Sequence, residues 1–125
     1  MNFDSDDLLE LDEYFNKNNI PKEKSCLVGS STLSLLGIRK HHDIDIILHS
    51  SLNLSLTTHQ FIEQVKSPWS TLHSDDEIID NSNYHIIFKG YKFVIPEFLY
   101  HRKVWHNRSK DMIDICDLED YSKFC

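Results

Sequence analysis

The sequence lacks both a surplus of basic residues and a long apolar run. Thirteen Lys and Arg stand against twenty Asp and Glu, which gives a formal net charge of −7. Because a general electrostatic grip on nucleic acid needs excess positive charge, we do not expect extended nucleic acid as a partner. No apolar stretch approaches the roughly 20 residues that span a bilayer. Residues 1–7 also lack the basic start and apolar run of a secretory signal. We therefore expect no membrane contact and a cytoplasmic location.

Cysteine is scarce as well. The three cysteines, Cys26, Cys116 and Cys125, form an odd number and show no metal-type spacing. Reduced thiols in a cytosolic protein are the simplest interpretation. The 125 residues contain no internal repeat, no low-complexity tract and no evident linker. We expect one folded domain over residues 1–125, large enough for a single two-layer core.

The order of local patterns predicts a mixture of helices and strands. A two-residue hairpin turn is predicted at Lys89-Gly90, between two strands. Residues 67–82 are predicted to be mostly loop, although Ile78-Ile79 could form a short strand. Helices on a small mixed sheet, an α+β fold, are the simplest packing of these elements. The predicted helices cover residues 4–18, 31–36, 57–66, 96–107 and 109–118, and the predicted strands cover 26–28, 43–48, 84–88 and 91–95.

The most informative segment couples a Gly-Ser turn to an Asp-x-Asp strand. Gly29 lets the backbone approach a ligand, Ser30 and Ser31 supply hydroxyls, and the following helix presents unpaired backbone N–H groups. Together these features form a suitable binding site for a phosphate group. Asp43 and Asp45 follow on a strand, where residues two apart project from the same face. Two such carboxylates can bind one or two Mg²⁺ ions that bridge phosphate oxygens.

This segment, LVGSSTLSLLGIRKHHDIDIIL over residues 27–48, resembles the signature of the nucleotidyltransferase superfamily of the DNA polymerase β type. That signature is a strand, a Gly-Ser or Gly-Gly turn, a short helix and an Asp-x-Asp strand. A looser resemblance to small prokaryotic members, as in toxin–antitoxin and abortive-infection systems, extends to Lys103 and to residues 108–114.

The resemblance implies a nucleotidyltransferase fold and Mg²⁺-dependent transfer of a nucleotidyl group from a nucleoside triphosphate, such as ATP, to an acceptor hydroxyl. It implies that Asp43 and Asp45 are catalytic and hold the metal. Arg39 and Lys40 lie near the motif, and either could contact the triphosphate or simply be exposed. The candidate nucleotide-binding residues are Gly29, Ser30, Ser31, Arg39 and Lys103.

One feature departs from that family. Active members add a third carboxylate from a later strand beside the Asp-x-Asp strand. The predicted strands 84–88 and 91–95 contain no Asp or Glu, and His85 stands where an acid is expected. Asp76, Glu77, Asp80 or Glu97 is left to complete the site. Without a third acid, the group that would deprotonate an attacking hydroxyl is missing.

Several residues have competing interpretations. Lys103 either contacts phosphate, as the resemblance implies, or lies on a solvated helix face. Asp111 and Asp114 suit the first turn of the last helix, where the helix dipole favours acids, and a structural role is preferred for them. His41-His42 could join the carboxylates in a transition-metal cluster, but adjacent residues on an extended chain point oppositely, so a solvated loop is preferred.

Two functions other than the transferase are open. One is a catalytically inactive binding or regulatory module with the same fold, acting with a protein partner or as a homodimer. The missing strand acid and the small size both motivate it. The other is a nuclease or another phosphotransfer enzyme, which is less favoured because the Gly-Ser turn has no evident part in it.

Overall fold

A mixed sheet forms the centre of the computed structural model, which describes residues 3–40, 43–106 and 108–123. The interpretations of His41-His42 and Cys125, and the predicted end of a helix at Asn107, concern residues outside these ranges. The helices are α1 (Ser5–Asn18), α2 (Ser30–Leu35), α3 (Asp75–Asp80), α4 (Pro96–His106) and α5 (Met112–Lys123), with 3-10 turns at Lys22–Lys24 and Ser109–Asp111. The strands are β1 (Ser25–Val28), β2 (Ile44–Leu48), β3 (Ile62–Gln64), β4 (His85–Phe88) and β5 (Tyr91–Val94).

The five strands lie in the order β3-β2-β1-β5-β4. β1 is antiparallel to β2 and parallel to β5, while β3 is parallel to β2. β4 and β5 form the predicted hairpin, and its turn residues Lys89 and Gly90 have φ values of 53° and 83°. This pair of positive φ values matches the right-handed twist of the strands. The predicted α+β class with a small mixed sheet is confirmed.

The core lies on both faces of this sheet. The alternation predicted for β2 is confirmed: Ile44 and Ile46 pack on one face in a cluster that includes Leu11 and Phe15 of α1. Ile47 points to the other face, where a second cluster forms against α2, α3, α4 and α5. Each fully buried side chain of this size contributes about 1.5–3 kcal/mol relative to an exposed one. The polar start of β2 is thereby held at a fixed place between two packed layers.

The helix predicted over residues 57–66 is wrong. Part of this segment is β3, because the edge of β2 offers backbone partners that a helix would leave unpaired. The Ile44 backbone N–H donates to the Phe61 carbonyl at 2.7 Å, and the Val65 N–H donates to the Ile46 carbonyl at 3.0 Å. Ile62 is buried as expected, but from a strand. The correction adds a strand directly beside the Asp-x-Asp strand.

Two further predictions need correction. Residues 67–82 are mostly loop as predicted, but Ile78 and Ile79 form no short strand, because they lie buried on the helix α3. A capping box, in which the Ser74 and Glu77 side chains each bond the other's backbone N–H, starts this helix. The last helix begins at Met112, after a 3-10 turn, and makes no use of Ser109 as a cap. Across the described residues, no helix combines the length and apolar character needed to cross a membrane.

Candidate active site

A polar cleft of about 580 Å³ opens beside the start of β2 and is closed on its far side by α4 and the first turn of α5. Five of the seven candidate catalytic and nucleotide-binding residues line it, although they come from four separate parts of the chain. They are Gly29, Ser30, Arg39, Asp45 and Lys103. Ser31 does not reach the cleft; its side chain is fully buried, and its hydroxyl has no hydrogen-bond partner among the described residues.

The turn between β1 and α2 lies directly against the Asp-x-Asp strand. Gly29 has φ 70° and ψ −145°, a region that only glycine enters readily. A Cβ atom at this position would stand 2.9 Å from Oδ2 of Asp45. The Ser30 hydroxyl donates to the Asp43 carbonyl at 3.5 Å, which ties the turn to the strand a second time. Glycine is therefore required both by the backbone conformation and by the close approach of the carboxylate.

A third carboxylate lies beside Asp45 of β2, while Asp43 immediately precedes the strand. Asp45 is paired in register with Glu63 of β3. Burial raises the pKa of Asp45, the charges of Glu63 and Asp43 raise it further, and Arg102 opposes them. Uncompensated negative charge is thus concentrated at this corner of the sheet. Sequence analysis missed Glu63 because it lies in the segment predicted to be helical, and the short apolar run around it suits a helix and a strand equally well.

The four acids considered for this role lie elsewhere. Asp76 accepts a hydrogen bond from the Ser50 backbone N–H at 2.8 Å, and Ser50 follows Asp45 by roughly 16 Å of extended chain. Asp80 contacts His49 at 3.0 Å at the same end of β2. Glu77 completes the capping box of α3, and Glu97 lines a separate cavity between α4 and α5.

His85 does not take the place of an acid in the cleft. Its ring is buried, and Nδ1 pairs with the Ile78 carbonyl at 2.8 Å. It connects β4 to α3 and has a structural role.

Lys103 is not on a solvated face, because it is only 8% exposed. Its Nζ lies 3.1 Å from Oδ1 of Asp111 and 3.0 Å from Oδ2 of Asp114. Arg39 reaches the same Asp114 with two hydrogen bonds, at 2.6 and 2.8 Å, and Arg108 holds Asp111 at 2.7 Å. The structural role preferred for the two aspartates agrees with these contacts, which join α4 to α5.

Burial raises the pKa of Asp111 and Asp114, but hydrogen bonds and charge from the cations around them outweigh it. The pKa of each carboxyl is therefore lower than usual. Both carboxylates stay ionised, and they neutralise most of the positive charge that Lys103 and Arg39 bring to the cleft.

Arg102 is the cation that the sequence analysis overlooked. It is half-buried, lies over the Trp69 ring at 5.2 Å from the ring centroid and donates to the Trp69 carbonyl. Burial and the charge of Arg108 lower its pKa, whereas Asp45 raises it. In the described part of the chain, neither Arg102 nor Lys110 has a carboxylate within 4 Å. These two charges remain available to an anion in the cleft.

The carboxylates form no ready-made metal cage. Within the described ranges, no three His, Cys, Asp or Glu side chains stand close enough together to hold an ion by themselves. Mg²⁺ seldom uses such a cage, because it usually binds through one or two carboxylates, substrate phosphates and water. The carboxylates of Asp43, Asp45 and Glu63 fit a cation bound in that way, because the charges of Asp43 and Glu63 lie close enough to raise the pKa of Asp45.

No protein-family model matches this chain, and no curated protein or solved structure is significantly similar to it. Any function therefore has to be argued from the residues of the cleft.

Proposed function

We propose that this chain is an Mg²⁺-dependent nucleotidyltransferase, which transfers a nucleotidyl group from a nucleoside triphosphate such as ATP to an acceptor hydroxyl. One observation carries the proposal: the Gly-Ser turn, the Asp-x-Asp segment and a third carboxylate on the adjacent strand lie together, and Asp45 lines a cleft that also presents uncommitted cations. The family that the sequence resembles needs these parts in this arrangement.

Asp43 and Asp45 would hold the metal, with Glu63 beside them. Bound there, Mg²⁺ would neutralise charge on the phosphates as the bond between them breaks. Gly29 lets the turn approach Asp45 closely because it has no side chain, and Ser30 at the same turn would contact the triphosphate. Glu63 removes the proton from the acceptor hydroxyl. It thus supplies the third acid that β4 and β5 lack.

Arg102 and Lys110 are better placed than Lys103 to contact the triphosphate. The charge of Lys103 is already balanced by two buried carboxylates, so drawing it to a phosphate would leave them short of a partner. The guanidinium of Arg102 is oriented by Trp69 and faces no such competition. Lys103 and Arg39 then shape the wall of the cleft through Asp114.

The decisive experiment is calorimetric titration of a non-hydrolysable ATP analogue, with and without Mg²⁺. Wild type is compared with the Asp43→Asn/Asp45→Asn double variant and with Asp76→Asn/Asp80→Asn, which removes the same charge from the far end of β2. Binding that needs Mg²⁺ and disappears only in the first variant is the expected result. Nucleotide and metal binding that survive unchanged in the Asp43/Asp45 variant would refute the assignment.

A second candidate is a binding or regulatory module that acts with a protein partner or as a homodimer. The end of α4 and the start of α5 expose four apolar side chains, and such exposure is typical of a contact surface when it is concentrated. These are Val104, Trp105, Met112 and Ile113, of which Ile113 is 72% exposed. Co-purification of a stoichiometric partner, with no nucleotide consumed by the pair, would favour this candidate over the enzyme.

We also propose a cytoplasmic location. It is supported by the sequence composition and by the free thiols of Cys26 and Cys116. Burial raises the pKa of Cys26, so this thiol stays protonated in the core and is not a nucleophile.

A further inference from the structure

A second cavity, of about 340 Å³, lies next to the same carboxylates but shares no lining residue with the cation-lined cleft. Asp43 and Glu63 line it, whereas Asp45 lines the cleft. We infer that this cavity binds the acceptor, and that the acceptor is a small hydroxyl compound, about the size of one sugar ring, without negative charge. The inference rests on the proposed nucleotidyl transfer and adds the class of its second substrate.

Hydrogen bonds hold several residues of the wall of this cavity in place. The Tyr14 hydroxyl donates to the Thr57 carbonyl at 3.0 Å, and the Thr57 N–H donates to Asn18 Oδ1 at 2.8 Å. His59 accepts the Phe61 N–H at Nδ1, at 3.2 Å, while Nε2 pairs with Glu10 at 3.2 Å. A wall held in this way is already shaped for a ligand, which lowers the entropic cost of binding.

The position of the cavity suits the acceptor rather than the leaving group. In phosphoryl transfer the attacking and leaving oxygens lie roughly in line with the phosphorus, so they occupy opposite sides of it. Pyrophosphate carries the negative charge and belongs with Arg102 and Lys110 in the cleft. The acceptor then approaches from the side of Asp43 and Glu63. Its oxygen bonds to the α-phosphorus, the bond to the bridging oxygen of pyrophosphate breaks, and the hydroxyl proton passes to Glu63.

The lining residues restrict the chemistry of the acceptor. Among the described residues around the cavity there is no Lys or Arg, while two carboxylates face it. A phosphorylated acceptor or a nucleic acid would meet repulsion with no compensating cation. Thr58, Gln60 and Gln64 offer uncharged hydrogen-bonding groups, and Tyr14 and Phe61 add aromatic surface. A cavity at the small end of the usual range of ligand pockets, with many hydrogen-bonding groups and some aromatic surface, is suited to a neutral or cationic sugar-sized molecule.

The test uses ¹⁵N-labelled protein saturated with Mg²⁺ and a non-hydrolysable ATP analogue. Glucose, glucosamine and glucose 6-phosphate are titrated separately at equal concentrations, and amide shifts are followed by NMR. We expect glucose and glucosamine to shift the amides of residues 58–64, and glucose 6-phosphate to bind at least about tenfold more weakly, which corresponds to 1.4 kcal/mol. No shift of these amides with any of the probes, or tightest binding of the phosphorylated sugar, would overturn the inference.

A cavity-filling variant separates the two substrates. Thr58→Trp should remove the sugar-induced shifts and leave the affinity for the ATP analogue within about twofold, since that ligand lies in the other cavity. Leu72→Trp, which places the same side chain at an exposed position outside the cavity, is the control. If the analogue itself shifts residues 58–64 and Thr58→Trp weakens its binding, the cavity holds the nucleoside and the inference is wrong. Failure of the analogue to shift Gly29, Ser30 or Arg102 in wild type would instead count against the nucleotidyltransferase proposal.

Discussion

Lys103 and Arg102 are neighbours on α4, yet their surroundings assign them different tasks. Lys103 pairs with the carboxylates of Asp111 and Asp114, which are both buried away from water. Arg102 faces the cleft with its guanidinium fixed over an aromatic ring and no acid within 4 Å among the described residues. The two positions can therefore be separated by measurement, one through ligand affinity and the other through stability.

Arg102→Gln should weaken binding of the Mg²⁺-ATP analogue by about tenfold or more. The loss corresponds to a hydrogen bond to a charged group, which contributes about 1.5–3 kcal/mol. Calorimetric titration measures it, and Lys17→Gln, which removes an exposed charge at the end of α1, is the matched control. Equal affinity in wild type and Arg102→Gln would show that this arginine does not contact the triphosphate.

Lys103→Met should lower the free energy of unfolding by about 3 kcal/mol, because it removes the buried cation that Asp111 and Asp114 share. The effect belongs at the lower end of the usual range, since Arg39 and Arg108 still pair with Asp114 and Asp111. Chemical denaturation followed by circular dichroism checks it. Lys110→Met, at an exposed position nearby, should change stability by less than about 0.5 kcal/mol. Similar effects of the two substitutions would refute the buried ion network.

Gly29→Ala tests the close approach of the turn to Asp45. Alanine at this position would lower the free energy of unfolding for two reasons. The backbone conformation costs about 1–3 kcal/mol for residues other than glycine, and the added Cβ atom would lie only 2.9 Å from the Asp45 carboxylate. Gly90→Ala is the control, because its φ is also positive but its Cβ would meet only the flexible Lys22 side chain at 3.4 Å. Both variants should lose stability in denaturant titrations, whereas only Gly29→Ala should lose binding of the ATP analogue. Intact binding in Gly29→Ala would contradict a tight fit between turn, strand and ligand.

Among the elements, those with strong local signals were predictable. α1 begins after Asp4, whose side chain accepts the Asp6 N–H at 2.8 Å, as its acidic start predicted. β1, β2 and the hairpin carried apolar alternation or a Gly-containing turn, and α4 begins at Pro96 as predicted. These signals depend only on neighbouring residues, so the sequence displays them directly. They were enough to predict that the turn and Asp45 lie together, which the structure shows.

β3 could not be predicted in the same way. Its three residues are strand only because β2 lies beside them, and this pairing is a tertiary property that a short apolar run does not encode. The same limit hid Glu63 and the cavity next to it. α3 differs, since Ser74 and Glu77 form a capping-box pattern that is visible in the sequence and indicates a helix start.

The capping box of α3 gives a prediction at the level of this element. Ser74→Ala should lower the free energy of unfolding by about 1 kcal/mol, because the Glu77 backbone N–H loses its acceptor at 3.2 Å. Urea denaturation measures the change. Ser82→Ala, an exposed serine just beyond the helix, should cost little and controls for the loss of a hydroxyl. No difference between the two variants would show that the cap does not support the helix.

Over the whole molecule, charge is sharply segregated. The chain has a formal net charge of −7, yet five of its thirteen basic residues line one cleft. They are Arg39, Arg102, Lys103, Arg108 and Lys110. Among the residues that the structure describes, only three carboxylates line the same cleft, so a surplus of positive charge remains there. Such a cleft within an acidic protein favours a compact polyanion over extended nucleic acid, which would meet repulsion beyond the cleft. The same segregation makes stability depend on the acids that pair with these cations.

Stability should therefore fall in acid, and Asp114 should account for part of the fall. Its pKa is held below the usual 3.8, since hydrogen bonds from Arg39 and Lys103 outweigh the opposing effect of burial. A lowered folded-state pKa contributes stability that is complete above the unfolded-state value and is lost as pH drops through the folded-state value. Urea denaturation from pH 7 down to about pH 2 should thus show declining stability below about pH 5 in wild type.

Asp114→Asn should be less stable than wild type at pH 7 and should lose less on acidification, because the ionised partner of Arg39 and Lys103 is already gone. Asp117→Asn removes an acid from the same helix that makes no hydrogen bond or salt bridge with the described residues. It should keep the wild-type dependence on pH. If Asp114→Asn and Asp117→Asn lose stability in parallel with wild type, the acid sensitivity does not arise from this ion network, and the packing of α5 against α4 must be attributed to its apolar contacts instead.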